Sequence, residues 1–60
     1  MIVMRLNWLS EHLDEVMVFI ENQNELVAFS HLVDCDYNAY RMKDEDLICI
    51  NDVMDRYMGE

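Results

Sequence analysis

The sequence predicts a small, mostly α-helical domain built from three helices. Three observations lead there. Apolar residues recur at spacings of three and four in three separate segments, the period of an amphipathic helix. There is no Pro and no Thr, and the single Gly is Gly59, whereas turn-rich β domains draw heavily on Gly and Pro. Hydrophobic residues make up 53% of the chain and include Trp8, so it can collapse and pack as a disordered acidic segment cannot.

In the first segment Leu6, Leu9, Leu13, Val16 and Ile20 form one stripe. Projected at about 100° per residue, Glu11, Asp14, Glu15, Glu21 and Asn22 fall opposite, with Val18 among them. Asn7 or Ser10 is placed to cap its start, and the polar run "ENQN" at 21–24 ends it. The second segment is "ELVAFSHLV", residues 25–33, with Leu26, Phe29, Leu32 and Val33 on one face and Asn24 as its cap. The third covers residues 44–58. Leu47, Ile50, Met54 and Tyr57 form its stripe with Met58 beside it, Asp44, Asn51, Asp52 and Asp55 lie opposite, and Gly59 is suited to stop it. A competing α+β pattern exists. Residues 15–33, "EVMVFIENQNELVAFSHLV", also read as two apolar runs about a four-residue polar turn, a hairpin rich in Val and Ile.

Sixty residues bound the chain to one small acidic domain, residues 1–60. A domain this short buries a modest fraction of its surface and usually needs a staple. Cys35 and Cys49 form no CxxC pair and are expected as two reduced thiols, which leaves a metal or a partner subunit as staple. No segment approaches the roughly 20 apolar residues of a membrane span, and the start does not read as a signal peptide. A soluble cytoplasmic protein is expected.

Charge narrows the function further. Thirteen acidic residues face four basic ones, for a formal net charge of −9. Arg5, Arg41, Lys43 and Arg56 are the only cations, so residues 6–40 contain none. Direct nucleic-acid binding needs cations to neutralise phosphates, and an anionic membrane surface repels such a chain. A partner with a basic surface, or a cation, fits instead.

One stretch has the spacing of a metal site. "DCDYNAYRMKDE", residues 34–45, puts Asp34, Asp36, Asn38, Tyr40 and Glu45 at positions 1, 3, 5, 7 and 12, the oxygen spacing of a calcium loop. With a helix expected on each side, residues 25–58 resemble a helix–loop–helix EF-hand in this respect. The resemblance implies Ca²⁺ held by those five residues, with the Tyr40 carbonyl as the fourth ligand. Two positions depart from it. Ala39 stands where the sharp turn needs Gly, and Arg41 stands where an aliphatic residue usually sits. The competing reading is a polar connector whose Asp and Asn form turns and cap the last helix at Asp44.

Other chemistry is sparse. His31 and Cys35 share a helical face, and with Cys49 they would give three zinc ligands, but at no standard zinc spacing. Ser10 and His12 are two apart and point away from each other on a helix. There is no phosphate-cradling loop, and no enzyme is expected. Six Met residues suit either an adaptable binding surface or an irregular core, the latter for Met17 and Met54. Trp8 and Phe19 project beside the acidic face of the first helix, as interface anchors do.

The function expected from these residues is protein binding, as an inhibitor or adaptor. Glu11, Asp14, Glu15 and Glu21 would meet a basic partner surface, with Trp8 or Phe19 as apolar anchor. Carboxylates spread over a rigid face can imitate duplex phosphates, and the size and charge are similar to those of small, often virus-encoded inhibitors of nucleic-acid-binding proteins. The alternatives are an EF-hand-like calcium module and a homodimeric helical bundle.

Overall fold

A computed structural model describes the backbone of residues 2–59 and the side chains of residues 6–59. Its elements are α1 (Ile2–Met17), α2 (Gln23–Asp34), a single 3-10 turn (Ala39–Arg41) and α3 (Asp44–Gly59). The three-helix expectation holds, and no strand occurs among the described residues. Residues 15–33 form the end of one helix, a turn and the next helix, so the hairpin alternative falls.

Helix α1 starts before Asn7 and Ser10, so neither caps it. Ser10 Oγ instead donates back to the Asn7 carbonyl at 2.8 Å. The helix is broken once, at His12, where φ is −127° and ψ is 20°. The His12 ring stacks on Trp8 at 4.2 Å with planes 8° apart, and its Nδ1 hydrogen-bonds the Trp8 carbonyl at 2.9 Å. That side-chain bond supplies a partner to the carbonyl at the break. The helix ends at Met17, ahead of the polar run, yet Ile20 in the connector still packs on the core.

Helix α2 is capped by Asn22, not Asn24. Asn22 is extended (φ −152°, ψ 169°), and its side chain accepts the Glu25 N–H at 3.0 Å. Glu25 reaches back to the Glu21 N–H at 2.8 Å. This reciprocal arrangement is a variant of the capping box, which the sequence N-Q-N-E at 22–25 spells out. The far end closes in a Schellman motif. The Tyr37 N–H donates to the Leu32 carbonyl and the Asp36 N–H to that of Val33, both at 3.0 Å. No Gly is available there, so Asp36 (φ 53°) and Tyr37 (φ 59°) take the left-handed conformation.

Helix α3 packs against both other helices, most extensively against α2. Its first turn carries Asp44, Glu45 and Asp46, where negative charge complements the helix dipole. Asp44 is the first helical residue, not the cap: the Leu47 N–H already reaches back to the Lys43 carbonyl at 3.1 Å. Gly59 is itself helical and takes no left-handed φ. The core joins Leu6, Leu9 and Val16 of α1, Ala28, Phe29 and Leu32 of α2, and Ile50, Val53 and Met54 of α3. Met17 packs against it and Met58 is exposed.

Candidate functional site

The exposed side of α1 carries Glu11, Asp14 and Glu15, which line one shallow depression with Ser10, His12 and Leu13. The break at His12 sits in the middle of this surface. Glu11 and Asp14 make no ion pair or hydrogen bond among the described residues. Glu15 differs, because its Oε2 accepts the Tyr57 hydroxyl at 2.9 Å. That bond leads the causes that push the Tyr57 phenol above its ordinary range, with burial and the Glu15 charge adding to it. Ser10 and His12 each bond a backbone carbonyl rather than each other.

Trp8 and Phe19 are half-buried and meet at Tyr57 of α3. The Trp8 ring lies 5.5 Å from Tyr57 in a tilted contact, and the Phe19 ring meets it edge-on at 5.6 Å. These contacts join Trp8 of α1 and Phe19 of the following turn to α3, and both rings pack against the core.

Glu21 lies apart from the other three. Its carboxylate is 3.3 Å from Arg56, the cation in the last turn of α3. Arg56 also donates to the Phe19 carbonyl at 3.1 Å and to Glu25 at 2.5 Å. Glu25 is 4% exposed and is the one buried charged residue among those described. Burial alone raises its pKa and is the largest single effect. The Glu21 N–H, the Arg56 guanidinium and the Asn22 backbone together outweigh it, so the carboxyl is held below the ordinary Glu value. The sequence reading missed Glu25 and Arg56. The N-x-x-E signature was a signal for the first, but nothing local links residue 25 to residue 56.

The connector at 34–45 is not shaped like a calcium loop. The left-handed residues are Asp36 and Tyr37, whereas the loop needs that conformation at Ala39, which here opens the 3-10 turn. The Asn38 side-chain oxygen accepts the Tyr40 N–H at 3.1 Å, and the Tyr40 side chain is 93% exposed. Asp34 lies at the end of α2 and Glu45 in the first turn of α3. Among the described residues no three His, Cys, Asp or Glu side chains converge on a point fit for a metal.

His31 Nδ1 pairs with Asp46 at 2.8 Å and so links α2 to the start of α3. Cys35 donates weakly to the Arg41 carbonyl at 3.8 Å. Cys49 opens on a different depression, and both thiols are free. Burial raises the Cys49 pKa, and the carboxylates of Glu25, Asp46, Asp52 and Glu45 raise it further, so it stays a protonated thiol at neutral pH.

Among the described residues no helix is long and apolar enough to cross a membrane. The chain matches no protein-family model, no curated protein and no solved structure.

Proposed function

We propose that this protein acts by binding a partner with a basic surface, through the exposed face of α1. The observation that carries this reading is the pair Glu11 and Asp14. Both are exposed, both line one depression with Glu15, and neither pairs with a cation among the described residues. Carboxylates of this kind gain energy only when a partner supplies cations, and they steer its approach. Glu15 borders the face and half-buried Trp8 and Phe19 would offer apolar contact beside it, whereas Glu21, held by Arg56, stands outside it. A basic groove that normally receives nucleic acid is the target such a face would compete for, which makes the protein an inhibitor or adaptor rather than a catalyst.

Glu11→Lys combined with Asp14→Lys tests the reading. These two positions leave the Glu15–Tyr57 hydrogen bond intact. The double variant should keep the circular dichroism of a helical fold and lose at least tenfold in affinity for a partner captured by the unaltered chain. Duplex DNA should compete for that partner. Unchanged affinity in the folded double variant rejects the reading, and competition by DNA separates mimicry from simple protein binding.

A further inference from the structure

The exposed side of α3 carries a feature that neither the core nor the face of α1 uses. Ile48 is 62% exposed, and on the same helical surface stand Asp44 four residues before it, Glu45 three before and Asp52 four after. All three carboxylates are exposed and none has a cationic partner among the described residues. Two shallow depressions flank this ridge. Leu47 and Ile48 line one of them, and Val27 and Cys49 line the other, across the seam with α2.

From this we infer that α3 is a docking surface for a cationic amphipathic helix of a partner protein. The inference rests on the reading of the chain as a binder of basic partners, and it names the partner's element and a second place where it sits. Charge complementarity selects the occupant. A second copy would bring another formal charge of −9 against the same carboxylates, so self-pairing is opposed. A nucleic acid or an anionic membrane is opposed by the same sign. A helix with Lys or Arg on one side and Leu on the other satisfies both halves of the surface. Its apolar side chains seat over Ile48 and into the flanking depressions, and its cations reach Asp44, Glu45 and Asp52. The span from Asp44 to Asp52 is about 12 Å along the helix, which two or three turns of a partner would cover.

The test is a titration of the isotope-labelled chain with a synthetic amphipathic helix of Leu and Lys, read from backbone amide shifts. The control is a peptide of the same composition, scrambled so that it has no apolar side. Saturable shifts should concentrate at residues 44–52 and at Val27, and the scrambled peptide should bind more weakly. Ile48→Ser, at an exposed position that leaves the core intact, should weaken binding by about tenfold, the scale of losing one buried aliphatic side chain. Equal affinity for Ile48→Ser, or equal binding of the scrambled peptide, overturns the inference. Shifts concentrated at residues 10–15 also overturn it while supporting the α1 face. Shifts at 44–52 alongside an unaffected Glu11/Asp14 variant would reject the α1 face and keep this one.

Discussion

Arg56 ties together groups from the α1–α2 turn and the start of α2: the Phe19 carbonyl, Glu21 and Glu25. Glu25 is buried, so removing the cation would leave a carboxylate out of water with backbone donors alone. Arg56→Ala should therefore cost about 3 kcal/mol, the scale for breaking a buried pair from one side. A domain of this length is stable by only about 3–9 kcal/mol, so the loss takes a third or more of the total and a urea titration should show the midpoint of the variant shifted far down. The same site sets a pH dependence. Folding lowers the Glu25 pKa, so its contribution is complete above the unfolded value, about 4.3, and is lost as pH falls through the lower folded value. Urea midpoints should fall over that window, and Glu25→Gln should flatten part of the fall. In the sequence Arg56 stands out only as one of four cations. Its partners Glu25, Glu21 and Phe19 are 31 to 37 residues away, beyond any local pattern.

At the level of elements, the helices end where backbone chemistry allows rather than where polar runs begin. The turn after α2 needs a left-handed residue and has no Gly, so Asp36 and Tyr37 take that conformation. Asp36→Gly should relieve strain at the Schellman position and raise stability by about 0.5–1 kcal/mol, measured as a shift in the urea midpoint. A loss of stability would show that the Asp36 carboxylate has a role beyond this turn. The stretch at 34–45 was legible as polar and turn-forming, and the Asn38 bond to the Tyr40 N–H is such a turn. Its oxygen spacing suggested more because Asp and Asn are frequent throughout the chain. The missing Gly at residue 39 was the more informative position, since backbone conformation decides whether spaced oxygens converge.

For the molecule as a whole, the dominant facts are a net charge of −9 and a core that holds nine buried apolar residues among those described. Like charges on so small a body repel, and salt screens that repulsion while reaching the buried Arg56–Glu25 pair much less. The melting temperature should thus rise between about 0.01 and 0.15 M salt, where the screening length shortens from about 30 to 8 Å. Partner binding through exposed carboxylates should weaken over the same range. A melting temperature that falls with salt would show that exposed ion pairs outweigh the repulsion.

The sequence by itself determined the three helices, most of their buried stripes and the acidic stretch that contains no Lys or Arg. Each of these follows from periodicity or composition, which act between near neighbours. Leu6, Leu9, Val16, Phe29, Leu32, Ile50 and Met54 were readable as core for that reason, and Val53 was not because it sits at the edge of its stripe. Tertiary structure decided which charges remain available. It drew Glu21 and Glu25 to Arg56 and Glu15 to Tyr57, and it closed Trp8 and Phe19 over the α1–α3 joint. It left Glu11 and Asp14 on α1 and Ile48 among carboxylates on α3 facing outward. Charge can be counted along a chain, but whether a charge is paired depends on which distant residues the packing of helices brings beside it.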